Sequence, residues 1–143
     1  MKTLALMALL LACTRAEAHT YRCPAKDAGA GLTNAEIRIG ERDHAHAVHG
    51  DVDQVEGGTN IHVDRASDDP AWLVCQYGGR RVEGTVISRP EAIGAREAWI
   101  QLAPTTAACD LAIRRARSQS KERQAWSATA TCKSRQPPPP DLM

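Results

Sequence analysis

Three of the five histidines lie close together in the sequence, in a pattern that could support metal chemistry. His44, His46 and His49 are followed by Asp51 and Asp53. Neutral imidazoles beside carboxylates suit zinc or copper(II). His44 and His46 are two residues apart, so they would lie on one face of a β-strand. The competing interpretation is that these histidines border a flexible acidic segment, where they are solvated and bind metal weakly or not at all.

The amino terminus offers a further metal ligand. If the chain is cleaved after Ala18, His19 becomes its first residue, and the α-amine and ring nitrogen of His19 can chelate one copper ion together. A second histidine would complete this copper site. Elsewhere in the chain, His62 and Asp64 lie two residues apart, as His44 and His46 do. This predicts, as the alternative function, an exported copper- or zinc-binding protein. Its ligands would be His19, His44, His46 and His49.

The first 18 residues have the pattern of an export signal. After a short positive start, Leu4 to Ala12 is an unbroken apolar run, and Ala16-Glu17-Ala18 is a small-x-small cleavage site. Leu10 to Cys13 also matches a lipobox, in which Cys13 would be acylated and tether the domain to a membrane. No apolar run reaches the roughly 20 residues that span a bilayer. We predict a signal peptide over residues 1–18 and a periplasmic or secreted protein, with an envelope lipoprotein as the alternative.

The remaining cysteines form an even set, which predicts disulfides in an oxidising compartment. If residues 109–132 form a hairpin, Cys109 and Cys132 lie at mirror positions on adjacent strands and can bridge, which leaves Cys23 with Cys75. If the segment is helical, Cys23 with Cys132 and Cys75 with Cys109 is an equally good pattern. No Cys-x-x-Cys pair is present, so neither a redox nor a zinc site at the cysteines is favoured.

Alternating apolar and polar residues predict a series of short β-strands, with loops and turns between them. Residues 50–60 are acidic and contain Gly57-Gly58, which predicts a loop, while Gly78-Gly79 predicts the tight turn of a hairpin. One helical turn is expected at residues 90–95. The predicted strands are Thr33–Ile39, a strand through Ile61 and Val63, Trp72–Tyr77, a strand through Val82, Val86 and Ile87, Ala98–Leu102, and Trp126–Cys132.

The segment from Cys109 to Gln124 fits both strand and helix spacing. We favour a strand through Ile113 or Arg114, with a loop over residues 118–123. Four consecutive prolines cannot join a sheet, so residues 134–143 are predicted to be a disordered or polyproline tail. The expected fold is a single, mainly antiparallel β domain over residues 19–133. It would be a small sandwich or open barrel with two disulfides and at most one or two short helices.

The chain contains no phenylalanine and only three tryptophans. Trp72, Trp99 and Trp126 lie in or beside apolar strands, so they are predicted to anchor the core. The alternative is that they form a platform for stacking on sugars.

Positive and negative charges nearly cancel, which argues against general nucleic-acid binding. Their distribution is uneven, because acids concentrate in residues 36–69 and bases in residues 111–135. The two regions either attract each other or are solvated, or the basic stretch recognises an acidic protein partner. The residues of that candidate surface are Arg114, Arg115, Arg117, Lys121 and Arg123.

Patterns typical of catalysis are missing from the sequence. There is no Gly-x-Ser-x-Gly, no glycine loop that would cradle a phosphate, and the carboxylates lie mostly in predicted loops or turns. We therefore expect a protein without enzymatic activity and without a cofactor, copper or zinc being the alternative.

The cysteine frame resembles that of a known family. Tyr21-Arg22-Cys23-Pro24 opens the mature chain, the stretch from Trp72 to Gly79 lies at its centre, and Cys109 and Cys132 close it. This resembles an uncharacterised family of small exported proteobacterial proteins, which implies a small β-rich domain and no activity. The chain is more faintly similar to periplasmic lysozyme inhibitors, although it lacks their Ser-Gly-x-x-Tyr stretch. We expect an exported, non-catalytic binding or inhibitor-type module with a protein partner in the bacterial envelope.

Overall fold

A computed structural model describes residues 18–27, 29–78, 96–116 and 125–135. In these ranges the regular secondary structure consists of β-strands, and no helix long and apolar enough to cross a membrane is present there. The strands are β1 (Ala18–Arg22), β2 (Lys26–Asp27), β3 (Ala30–Ile39), β4 (His46–Ala47), β5 (Asp51–Val55), β6 (Gly58–Asp64), β7 (Ala71–Tyr77), β8 (Arg96–Gln101), β9 (Thr106–Ala116) and β10 (Ala125–Ser134).

The strands form two sheets that pack face to face. The first sheet has the order β1-β10-β9-β6-β5, and the second has the order β2-β3-β7-β8, with β4 also pairing with β3. Every pairing is antiparallel. The predicted small antiparallel β-sandwich is therefore confirmed.

The core lies between the sheets and results from the period-two pattern of the strands. In β3, Ala35, Ile37 and Ile39 point inward, and in β9 the inward residues include Leu111 and Ile113. All five are less than a tenth exposed. Each fully buried leucine or isoleucine side chain contributes about 1.5–3 kcal/mol to the free energy of folding. The apolar residues that occupy every second position of these strands in the sequence are therefore the ones that lie between the two sheets.

Two disulfides link Cys23 to Cys75 and Cys109 to Cys132. Cys109 and Cys132 are direct register partners on β9 and β10, with Cα atoms 4.1 Å apart. The strand interpretation of Cys109–Ile113 is therefore correct, and the cysteine pairing that depends on it forms. Cys23 lies just after β1 of the first sheet and Cys75 lies in β7 of the second, so this bridge ties the sheets together. Both bonds are consistent with an oxidising, extracytoplasmic environment.

The predicted loop over residues 50–60 is wrong, because this stretch forms the hairpin of β5 and β6. Gly57 has a φ of 77° in the turn, a conformation that favours glycine. Gly58 begins β6, and a Cβ atom there would lie 1.8 Å from the carbonyl oxygen of Ile113. In the sequence the two glycines indicate a loop. In the structure Gly57 allows a tight turn, and Gly58 allows β6 to approach β9 closely. All five residues of β5 are exposed, which explains their acidic composition.

The second predicted hairpin would turn at Gly78-Gly79 and pair residues 72–77 with the strand that follows the turn. For residues 72–77 this prediction is also wrong. Both sides of β7 are occupied, one by β3 and the other by β8. The predicted strand through residues 82–87, the helical turn at 90–95 and the loop at 118–123 lie outside the described residues.

At the termini, the described strands reach the predicted boundaries or pass them. β1 begins at Ala18, whose register partner is Lys133, while Cys13 and the rest of the predicted signal lie outside the described residues. β10 runs to Ser134, and the backbone N–H of Arg135 donates to the carbonyl of Thr105 at 2.7 Å. Residues 134 and 135 are therefore held against the domain, and the predicted start of the tail at residue 134 is wrong. The four prolines lie outside the described residues.

Candidate functional site

Two of the three tryptophans lie on the outer face of the second sheet, not in the core. The residues flanking Trp72 in β7, Ala71 and Leu73, point inward and are buried, so Trp72 points outward. The same alternation places Trp99 on the outer face of β8, since Ala98 and Ile100 pack against the core. The prediction that both side chains anchor the core is therefore wrong. Alternation alone does not say which face of a strand is buried.

Trp126 agrees better with the prediction. Its ring is partly buried and packs against the core cluster at the start of β10.

The outward tryptophans form a compact aromatic pair. The ring centroids of Trp72 and Trp99 are 5.8 Å apart and the planes meet at 73°, an edge-to-face arrangement. Val74 lies on the same face of the sheet and has no exposed surface, although it is outside the core between the sheets. The outer face of this sheet therefore has a small apolar layer of its own.

Two arginines cover the indole ring of Trp99. The guanidinium carbon of Arg38 lies 4.9 Å from the ring centroid, and that of Arg42 lies 5.5 Å from it. Each such cation–π contact contributes about 0.5–1 kcal/mol at an exposed site. Arg38 extends from β3, whereas Arg42 lies in the turn between β3 and β4. Residues from separate elements thus converge on one ring.

Hydrogen bonds fix the orientation of these side chains. Arg38 donates to Glu36 and to Glu97, the second at 3.2 Å, and the indole N–H of Trp99 also donates to Glu97, at 3.1 Å. The indole N–H of Trp72 donates to the carbonyl of Gly40 at 2.9 Å. We call the group formed by Arg38, Arg42, Trp72, Glu97 and Trp99 the tryptophan face. Its members hold one another in place across β3, β7 and β8.

The polar network continues along the sheet. The amide of Asn34 donates to Gln76 at 3.0 Å, and the amide of Gln76 donates to Glu36 at 3.4 Å. Asn34 and Gln76 are each only 6% exposed although they lie on the outer face. The Oδ1 atom of Asn34 is buried and has no hydrogen-bond partner among the described residues. This end of the network therefore retains an unused acceptor.

A second group of polar residues lies on the outer face of the first sheet. The register places Asp51, His62 and Asp110 side by side across β5, β6 and β9. The ring of His62 contacts Asp110 through Nδ1 at 2.6 Å and Asp64 through Nε2 at 3.1 Å. Hydrogen bonds to Asp110 first, and then to Asp64, raise the pKa of His62 above its usual value. Because both ring nitrogens face carboxylates, this arrangement stabilises the imidazolium and suits a surface ion pair better than a general base.

Sequence spacing identified only part of this group. His62 and Asp64 are two residues apart and share a face, but Asp110 is distant in the sequence and joins them through the β6–β9 register. Only knowledge of the strand pairing could have found it.

The predicted metal ligands lie on different sheets. His46 belongs to β4 of the second sheet, near His44 and His49, whereas His19 belongs to β1 of the first sheet. Across the described ranges, no three His, Cys, Asp or Glu side chains are grouped so that they could hold a metal ion. The copper or zinc site remains an untested prediction.

The predicted basic surface is divided between two sides of a strand. Arg114 points to the outer face of the first sheet, where it donates to the carbonyl of Thr59 at 3.1 Å and to the side chain of Asn60. Arg115 points to the opposite side, with its guanidinium carbon 5.2 Å from the ring centroid of Trp126. The first two members therefore do not share one face. Arg117, Lys121 and Arg123 lie outside the described residues.

No protein-family model, curated protein or solved structure matches this chain. A functional assignment therefore depends on the fold and on the arrangement of the side chains.

Proposed function

We propose that this protein is an exported, non-catalytic binding module of the bacterial envelope, periplasmic or secreted, and that it recognises a protein partner through the tryptophan face. One observation carries the proposal. In a chain without phenylalanine, Trp72 and Trp99 lie on the outer face of a sheet, where a sandwich ordinarily carries polar side chains.

The composition of the tryptophan face supports a protein partner. Tryptophan and arginine are enriched at the centre of protein interfaces, where a few side chains supply most of the binding energy. Arg38 is fixed between Glu36 and Glu97, so little side-chain entropy would be lost on binding. Such a surface offers apolar area and charge together, as the centres of protein interfaces do.

A sugar-stacking platform is less well supported. Stacking needs an open, flat ring face, but Trp72 and Trp99 stand at 73° to each other. Both Arg38 and Arg42 already lie close to the ring of Trp99. The pair therefore presents an uneven surface that suits protein side chains better than the flat face of a sugar ring.

The cellular location rests on two independent features. The amino-terminal pattern ending at Ala18 is that of an export signal, and the two disulfides suit an oxidising compartment. A lipid anchor at Cys13 would hold the same domain at a membrane surface.

Affinity capture from envelope extract tests the proposal. Wild-type protein should retain a partner that Trp99→Ala and Trp72→Ala lose, since interface hot spots cost about 2 kcal/mol or more when truncated, about 30-fold in Kd. Thr20→Ala, on the outer face of the first sheet, is the matched control and should retain the partner. Both tryptophans lie outside the core, so the variants should keep their cooperative unfolding transition. Retention of the partner by both tryptophan variants would contradict the proposal.

The same experiment distinguishes the basic surface from the tryptophan face. Arg114→Ala and Arg115→Ala should leave capture unchanged. If these two variants lose the partner while Trp99→Ala keeps it, the basic stretch is the recognition surface instead.

A further inference from the structure

The strand β5 ends the first sheet. It pairs with β6 on one side, and no strand in the described part of the chain pairs with its other side. An edge strand presents backbone N–H and C=O groups that can pair with another chain. All five residues of β5 are exposed, so side chains from the rest of the described structure do not cover this edge.

The side chains of β5 differ on its two sides. Asp51 and Asp53 point to the outer face, whereas Val52 points toward the inner side and is still 55% exposed. Val55 is 37% exposed, and these two valines are the large hydrophobic residues most exposed in the described structure. The strand therefore combines an acidic face with apolar surface that the second sheet does not cover.

A shallow cavity lies beside this edge on the outer face. Its volume is about 280 Å³, and it is lined mostly by polar residues of β5, β6 and β9. His62 engages Asp110 and Asp64, whereas the side chains of Asp51 and Asp53 form no ion pair within the described ranges. The cavity is lined by Asp51, Asp53, Asn60, His62, Asp110, Leu111 and Ala112.

We propose that the free edge of β5 is a docking site for an extended segment of a protein partner that carries lysine or arginine at alternate positions. The segment would add to the sheet as a further strand, with backbone hydrogen bonds supplying affinity. Alternate basic side chains would lie over Asp51, Asp53 and the cavity. The apolar residues between them would cover Val52.

Charge argues against a second copy of this chain as the occupant. Symmetric antiparallel pairing of two β5 strands centred on Asp53 would place Asp53 directly opposite its copy. Like charges directly opposite each other destabilise a strand pair. A basic segment has the complementary charge at the same positions. The edge of β5 lies on a different sheet from the tryptophan face, so each proposal can be tested independently of the other.

A designed peptide tests the docking site. The probe is the heptapeptide Lys-Val-Lys-Val-Lys-Val-Lys, titrated into the disulfide-bonded protein and monitored by amide chemical shifts and hydrogen exchange. We expect saturable binding that protects the amides of β5. The double variant Asp51→Asn, Asp53→Asn removes the two negative charges that would lie beside the lysines of the peptide. It should weaken binding roughly fivefold or more. Asp43→Asn, the same charge change in the turn before β4, is the matched control and should bind as wild type.

A second peptide separates strand addition from general charge attraction. Replacing the central valine with proline keeps every charge but removes a backbone donor, so this peptide should lose binding. Equal binding of both peptides, protection at another strand, or no binding of the first peptide would overturn the proposal. So would a concentration-dependent dimer that Val52→Lys abolishes, because the occupant would then be a second copy.

Discussion

His62 is held between two carboxylates on an exposed surface, and its titration should report this geometry. Its pKa should lie above 6.5, and Asp110→Asn should lower the pKa more than Asp64→Asn, because Asp110 makes the shorter hydrogen bond. Histidine proton shifts measured against pH would check this order. A pKa at or below 6.5, or a larger effect from Asp64→Asn, would contradict the described contacts.

The same contacts make a small part of the stability depend on pH. Because the pKa of His62 is raised in the folded chain, the contribution of this group to stability is fully present below pH 6.5. It is lost as the pH rises through the folded-state pKa. Its size is small, since the His62 side chain is 44% exposed. His62→Asn should flatten this part of the pH–stability curve.

Gly58 is constrained by its neighbour across the sheet. An added Cβ atom would lie 1.8 Å from the carbonyl oxygen of Ile113, so Gly58→Ala must push β6 away from β9. We expect a loss of about 2 kcal/mol in the free energy of unfolding, measured by urea denaturation. Gly31→Ala is the matched control, since its Cβ would meet nothing within 4 Å, and it should change stability by less than about 0.5 kcal/mol. Equal effects would refute the close contact.

At the level of elements, central and edge strands should differ in their contribution to stability. Ile113 lies in β9, between β6 and β10, and has no exposed surface. Ile113→Ala should cost about 2–5 kcal/mol, because it leaves a cavity between the sheets. Val55→Ala, on the edge strand β5, should cost less than about 0.5 kcal/mol. Urea denaturation of both variants measures the difference, and a similar loss for both would contradict the assigned core.

Several strands could be predicted from the sequence because one face of each is buried. β3, β6, β7, β9 and β10 all show apolar residues at every second position, and this pattern survives in the structure. β5 escaped prediction because all its residues are exposed. Its acids and the glycines after them therefore resemble a loop, although its hydrogen bonds to β6 define a strand.

The candidate sites were harder to predict because they depend on strand register. The tryptophan face brings Arg38 and Trp99 together from distant parts of the chain, through pairing of β7 with both β3 and β8. Arg38 does not stand out in its own stretch of sequence. Apolar character made Trp99 resemble a core residue, yet the local pattern does not reveal which side of the strand faces the second sheet.

For the whole molecule, the two disulfides should be major contributors to stability. They close stretches with sequence separations of 52 and 23 residues. Chain-entropy estimates give roughly 3–4 kcal/mol for bridges of this length. Cys109→Ala with Cys132→Ala should lower the free energy of unfolding by about this amount in urea, and Cys23→Ala with Cys75→Ala should do likewise. When wild type and variants are compared under reducing conditions, the difference in the free energy of unfolding caused by each pair of substitutions should largely disappear. A difference that persists would show that the cysteine side chains stabilise the protein through packing instead.

The pairing of β1 with β10 has a consequence for the order of folding. β1 is the first described strand to leave the ribosome, and its partner is the last. That edge of the first sheet therefore cannot close until β10 has left the ribosome. The topology thus makes the pairing of β1 with β10 one of the last contacts that a growing chain can form.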